Sequence, residues 1–232
     1  MQLFYLKDPK KTNQLNPQES KHVVKVLRKR TGDTLFFTDG NGIIYTAEIS
    51  IADTRKCQFK IIKEEKKEKN HLYSLHIAIS PTKSNDRFEW FLEKSTELGI
   101  EEITPIICQR SERKKINFDR YNKILISAMK QSHTYYLPKL NECITYTKFI
   151  EQISLADKYI AHCQDSEKVK IKDIIINNDV LILIGPEGDF TNTEIKKALE
   201  KNYKEICLSK NRLRTETAGI AAVNTINNNR LC

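Results

Sequence analysis

The chain is expected to be an α/β protein, a parallel-sheet domain preceded by a small β-rich one. Three observations predict this. Residues 34–62 hold three runs rich in β-branched and aromatic residues, with the turn sequence Asp39-Gly40-Asn41-Gly42 between the first two. The run Lys63-Glu64-Glu65-Lys66-Lys67-Glu68-Lys69-Asn70 is highly charged, has no apolar stripe, and reads as a linker. From His71 onward, strand-like runs alternate with helix-like ones, the rhythm of strands joined by helical crossovers. The boundaries are thus residues 1–70 for the first domain and 71–232 for the second.

In the first domain, residues 1–6 can open as a short strand. Asn16-Pro17-Gln18-Glu19 starts a helix, with Asn16 as N-cap, Pro17 at the first helical position and Glu19 reaching back as in a capping box. Helical spacing puts Val23, Val26, Leu27 and Arg30 on one side and Lys21, Lys25, Arg28 and Lys29 largely around the other. Strands over 34–38, 43–51 and 56–62 follow, giving a small antiparallel barrel or sheet with one basic helix.

In the second domain, a strand over 72–80 leads to a helix over 84–98, which places Phe88, Phe91, Leu92 and Ser95 on one face and closes at Gly99. A strand over 103–108, a helix over 121–131 and a short strand and helix over 141–153 come next. Strands over 158–162 and 180–184 follow, the latter an uninterrupted apolar run suited to burial on both faces. Thr191-Asn192-Thr193-Glu194 is a second capping box, opening a helix to about Lys201. A strand over 206–208 and a helix over 215–228 complete the order.

Composition narrows the function classes. Hydrophobic residues at 39% and charged residues at 30% fit a folded domain. The longest clean apolar run, residues 180–184, is far short of the ~20 a membrane span needs. Residues 1–6 are apolar but followed by Lys7, Lys10 and Lys11, the reverse of a secretory signal, so a cytoplasmic location is expected. The six cysteines are scattered without C-x-x-C, and the five histidines show no H-E-x-x-H, so no metal is expected. The net charge is +9, and residues 1–70 carry 15 basic and 9 acidic side chains, or +6. A basic first domain suggests a polyanion partner, although a merely solvated basic surface explains the charge equally well.

Two loops at strand ends stand out, since ligands of parallel sheets bind beyond the carboxyl ends of strands. The first is Ile184-Gly185-Pro186-Glu187-Gly188-Asp189-Phe190, two glycines around a rigid proline; its plain alternative is an ordinary strand-to-helix turn. It is neither a dinucleotide fingerprint nor a P-loop. The second runs from Leu208 to Ala218 and contains Arg212, Leu213, Arg214, Thr215, Glu216 and Thr217. Its plain alternative is a cap in which Arg214 pairs with Glu216.

These loops carry a family resemblance. G-P-E-G after a buried strand, followed some twenty residues on by L-x-x-x-x-L-R-x-E-T-A, resembles the ribosomal RNA small subunit methyltransferase E family of the SPOUT class. So do His22-x-x-x-Val26-Leu27-Arg28, Asp39-Gly40, Glu97-Leu98-Gly99 with Pro105, and Gln131-Ser132 with Pro138. Together they cover nearly the whole chain. The departures are Asp189 where the family often has glycine, Ser209 and Asn211 where glycine and arginine are common, and Thr134 in place of arginine.

The resemblance implies a PUA-like RNA-binding β-barrel domain before a SPOUT domain whose last strands and helix form a trefoil knot. It implies a homodimer that uses S-adenosylmethionine to methylate N3 of a uridine in 16S ribosomal RNA, in the small subunit. Carried over residue by residue, the cofactor site would be Gly185, Pro186, Glu187 and Gly188 with Leu208, Ser209, Asn211 and Leu213. His162 would form a third wall, and Ile184, Leu208 and Leu213 would flank the adenine. RNA contacts would fall on His22, Lys25, Arg28 and Lys29. N3 of uridine must lose a proton to become nucleophilic. Arg214 is the favoured stabiliser of the resulting anion; Glu216 is either the base or a support for Arg214. The rival readings are a non-catalytic RNA-binding or assembly protein on the same fold, and a SPOUT methyltransferase acting on another RNA.

Overall fold

The computed structural model describes residues 2–69, 71–152 and 157–231. Met1, Asn70 at the end of the charged run, Ile153 at the end of an expected helix, and Cys232 lie outside the described residues. By internal contacts the chain forms two compact units. One is Met1–Lys69 with Met129–Leu137, the other Asn70–Ala128 with Pro138–Cys232. The segment Met129–Leu137 was not expected in the first unit.

The first unit is built on a four-stranded sheet of β1 (Leu3–Tyr5), β2 (Thr34–Thr38), β3 (Ile43–Ile51) and β4 (Gln58–Lys66), in that order. The sheet is mixed rather than antiparallel, because β1 lies parallel to β2. Its alternating inward positions bury Phe37, Tyr45, Ala47, Ile49 and Phe59 against Phe4, Leu15 and Val23. β4 corrects the expected linker. Half of the charged run is strand, with Ile43 opposite Lys66 and Tyr45 opposite Glu64. At the sheet edge an exposed, charged strand is tolerated and discourages pairing with other chains, so charge alone did not mark a linker. The turn after β2 is as expected, and Gly42 has φ +87°. A Cβ there would sit 2.3 Å from the Tyr136 ring, whose hydroxyl donates to the Lys67 carbonyl.

α1 (Pro17–Lys21) starts at Asn16, whose side chain accepts the Glu19 N–H at 2.8 Å. The reciprocal half differs from the expected box: the Glu19 carboxylate meets the Asn16 side-chain amide at 3.5 Å rather than its main chain. After Lys21 the helix widens into a π turn over His22–Val26, closed by Leu27 N–H donating to His22 O. One extra residue per turn rotates the helix phase. Val26, expected on the apolar side, is therefore 64% exposed, while Val23 stays buried.

The second unit is a parallel sheet of β5 (Leu75–Ile79), β6 (Glu102–Ile107), β7 (Lys139–Leu140), β9 (Asp157–Ala161), β10 (Val169–Lys170), β11 (Val180–Ile184) and β12 (Lys204–Cys207), ordered β10-β12-β9-β11-β5-β6-β7. The short β8 (Ile144–Thr145) also pairs with β6. The helices are α2 (Asn85–Glu97), α3 (Phe118–Ser132), α4 (Tyr146–Gln152), α5 (Asn192–Glu200) and α6 (Thr215–Leu231). α5 begins with the expected capping box, both of its reciprocal bonds formed by Thr191 and Glu194. β11 sits between β5 and β9 and is buried along its whole length. Burying each Val, Leu or Ile side chain there contributes about 1.5–3 kcal/mol. Among the described residues, no helix is long and apolar enough to cross a membrane.

α6 lies close on α2 and β5 because Gly219 carries no side chain. A Cβ there would stand 2.6 Å from Phe91 and 3.1 Å from Ile79. Alanine favours a helix over glycine by about 1 kcal/mol, but overpacking a full core costs about 1–3 kcal/mol. Gly219→Ala should therefore lower stability by up to about 2 kcal/mol, read as a lower urea midpoint; a raised midpoint would mean that this helix contact yields freely.

Candidate functional site

The carboxyl ends of β9, β11 and β12 open onto one cleft of about 930 Å³, within the usual span of ~300–1,000 Å³ for ligand sites. Its floor and walls are the loops following these three strands, as expected of a parallel sheet. The apolar lining includes Ile184, Ile206, Leu208 and Leu213, and polar residues such as Gln164, Ser166, Ser209 and Asn211 line the rest.

The Gly185–Gly188 loop is a tied turn. Asp189 N–H donates to Pro186 O at 2.9 Å, and Thr215 Oγ1 at the head of α6 donates to Gly185 O at 3.1 Å. Glu187 lines the cleft, but one carboxylate oxygen accepts the Lys83 N–H at 2.9 Å, which fastens the loop after β5. Asp189 has φ +63°, a left-handed conformation that explains why glycine suits this position. This chain offsets the backbone cost with the side chain: Oδ2 accepts the Cys163 N–H and Oδ1 the Phe190 N–H, each at 2.8 Å. The β9 and β11 loops are thereby joined.

His162 serves the cleft through its main chain. Its ring is buried, with Nε2 2.8 Å from Glu205 and Nδ1 accepting the Gln164 N–H at 3.2 Å. Those partners are satisfied by the neutral ring with its proton on Nε2. Burial first, and then Lys168, hold its pKa below the ordinary imidazole value against the opposing pull of Glu205. Lys168 Nζ in turn donates to the His162 carbonyl at 2.9 Å.

The expected cofactor residues His162, Ile184, Gly185, Pro186, Glu187, Leu208, Ser209, Asn211 and Leu213 all line this cleft, as does Arg214. Gly188 and Glu216 do not. Gly188 is exposed, and a Cβ there would stand 3.4 Å from the Arg110 side chain. Glu216 is only 5% exposed, and its Oε1 lies 3.8 Å from Arg87 Nε on α2. Its carboxylate therefore turns to α2 rather than to Arg214, and Oε2 has no hydrogen-bond partner. Arg87 escaped the sequence reading, although a cation in the first turn of a helix runs against the helix dipole and was a signal. In the first unit, Lys25 and Arg28 are exposed and His22 and Lys29 half-buried. Arg28 has φ +56°, and the Lys29 N–H closes back on Val23 O at 3.1 Å.

Two predictions follow from the ties. Asp189→Ala should cost about 1–3 kcal/mol, from the lost bonds and the left-handed backbone. Asp189→Asn should retain most of this stability, and Asp189→Gly should recover only the backbone part, all by urea unfolding. For His162, the unfolded chain binds the proton more readily than the folded one. Its contribution is complete above about pH 6.5 and falls as pH drops below that value. Unfolding midpoints should decline from pH 7 to pH 5 in the wild type, and less steeply in His162→Gln.

Comparison with known proteins gives the chain a context. Residues 68–227 match the model of an RNA methyltransferase domain, and residues 15–62 that of an RNA methyltransferase PUA domain. The chain is 31% identical to the ribosomal RNA small subunit methyltransferase E of Rickettsia conorii over 207 residues, covering 87% of this chain and 84% of that one. Among solved structures it is similar to a probable rRNA methyltransferase from Porphyromonas gingivalis, with TM-score 0.95 and 37% identity over 100% of this chain and 99% of the other. It is also similar to a ribosomal RNA small subunit methyltransferase E from Neisseria gonorrhoeae bound to S-adenosyl methionine, with TM-score 0.85 and 26% identity over 97% and 96%.

Proposed function

The chain belongs to the RNA methyltransferase family, among relatives of ribosomal RNA small subunit methyltransferase E, and we propose that it methylates N3 of a uridine in 16S ribosomal RNA with S-adenosylmethionine. The observation that carries this reading is the three-loop cleft beyond β9, β11 and β12. It is large enough for a nucleoside, flanked by Ile184, Leu208 and Leu213 for a base, and lined elsewhere by polar residues such as Gln164, Ser166, Ser209 and Asn211, able to bond a ribose and an amino-acid tail. That mixture of surfaces fits S-adenosylmethionine. When bound, the cofactor supplies an activated methyl group on its sulfonium.

The chain's own residues then have three tasks. The loops after β9, β11 and β12 hold donor and acceptor in line, which removes much of the entropic barrier. Arg214, exposed on the cleft wall, stabilises negative charge on a uridine oxygen as N3 loses its proton. Glu216, buried against Arg87, fixes the start of α6 and the placing of Arg214, and is a poor candidate for the base. Because N3 lies on the pairing edge, the target uridine must be unpaired or flipped outward.

The first domain, residues 1–70, would bind RNA through His22, Lys25, Arg28 and Lys29, and the second, residues 71–232, would carry the chemistry in the cytoplasm as a homodimer. The insertion of β11 between β5 and β9 supports a knotted return of the chain, as the family resemblance implies.

The test is the reaction. Small subunits from cells lacking the gene are incubated with the protein and labelled cofactor, and the modified nucleoside is identified after digestion. N3-methyluridine, with a reverse-transcription stop beside it, is the expected result; a methylated cytidine, a methyl on uridine C5 or ribose O2′, or labelled transfer RNA would overturn it. Arg214→Ala should keep cofactor affinity, measured by calorimetry with chelator present, yet lose turnover by on the order of 10²-fold. Full turnover in that variant would remove Arg214 from the mechanism.

A further inference from the structure

At the cleft, three arginines from two loops of the second unit are held by main-chain carbonyls. Arg110 Nη1 donates to Gly188 O at 2.8 Å, and Arg212 Nη2 to Glu187 O at 3.3 Å. Arg113 donates from Nε to Thr82 O at 2.9 Å and from Nη2 to Lys83 O at 2.6 Å. A carbonyl orients a guanidinium without cancelling its charge, and each group keeps further N–H donors free for a second partner. Elsewhere in the unit the pattern is different, as Arg120 pairs with the Glu89 carboxylate at 2.6 Å.

The acids nearby are engaged otherwise. Glu112 pairs with Lys83 Nζ at 2.9 Å, Glu187 accepts the Lys83 N–H, and both oxygens of Asp189 accept main-chain N–H groups. Arg110 and Arg212 are exposed, and exposed Lys114 and Lys115 follow Arg113 directly. The loop that carries Arg110 and Arg113 is anchored from beneath: Ser111 Oγ lies 2.8 Å from Ser80 Oγ and accepts the Cys108 N–H, while the Gln109 N–H donates to the buried Glu194. Neither Arg110 nor Arg113 lines the cleft; Arg212 does.

We propose that Arg110, Arg113 and Arg212 form a rim on the second unit that binds phosphates of the RNA backbone flanking the target nucleotide. The inference rests on the RNA methyltransferase reading above and adds to it a second, separate RNA contact. Its chemistry is that of oriented, charge-bearing guanidiniums, which suit phosphate in two-pronged contacts. Its position runs from the cleft wall at Arg212 to Arg110 and Arg113 outside the cleft lining, where a flipped-out nucleotide would leave its neighbours' phosphates.

The experiment uses the full chain and a fluorescent oligouridylate, because phosphate contacts are independent of sequence. Anisotropy is measured over a salt series for the wild type, Arg110→Gln and Arg110→Lys. Arg110→Gln should bind roughly three- to tenfold more weakly and lower the log–log salt slope by about 0.7, the value for one single-strand phosphate contact. Arg110→Lys should restore the slope, and cofactor affinity and unfolding midpoint should match the wild type in both. Wild-type affinity and slope in Arg110→Gln would overturn the proposal. So would an equal loss of cofactor binding, which would make Arg110 a support of the Gly188 turn. The two readings separate: if the wild type leaves small-subunit RNA unmethylated while Arg110→Gln still shows the reduced slope, the target is wrong and the rim stands.

Discussion

Because β11 is hydrogen-bonded to β5 along one edge and to β9 along the other, and buried on both faces, its two ends are where the chain can next meet solvent. The carboxyl end of the strand is therefore committed to a tight, polar turn. Main-chain groups leaving the core there need partners, and the carbonyls of the turn from Gly185 to Gly188 find them in Thr215, Arg212, Arg110 and the Asp189 N–H. The cleft is the space left between three such strand ends. Its shape depends on that central strand more than on any single side chain facing the cavity.

Several bonds that hold the loops share one form, a side chain of one loop meeting the main chain of another. Glu187, Asp189 and Arg212 act this way. Such ties fix the loop main chain around the cleft. They also give a conspicuous motif residue such as Glu187 a structural task, since its carboxylate accepts the Lys83 N–H. Asp189 shows the same logic at a position where the family often has glycine: a strained left-handed residue is retained where its carboxylate joins two loops.

The first unit obeys a different constraint. Its helix must end close to β2, and it does so through a π turn and the left-handed Arg28. That geometry turns Val26 outward and leaves Lys25 and Arg28 exposed together. The basic character visible in the composition thus becomes a local surface of the first unit.

What the sequence determined by itself was mostly what short-range chemistry controls. The Thr191 capping box, the Gly40–Gly42 turn and the buried run of β11 were legible because each depends on a few neighbouring residues or on continuous hydrophobicity. Nine of the residues lining the cleft were legible because strand-end loops and the family motif marked them. Tertiary structure decided the rest. It made the charged run part of β4, since an edge strand needs only a partner on one side, and it brought Met129–Leu137 into the first unit through contacts distant in sequence. It also sent Glu216 to Arg87 instead of Arg214, because helix α6 packs on α2 at Gly219 and aims the carboxylate into that contact. Spacing along a helix start cannot reveal which neighbour a buried carboxylate will face; only the packing of one element on another does.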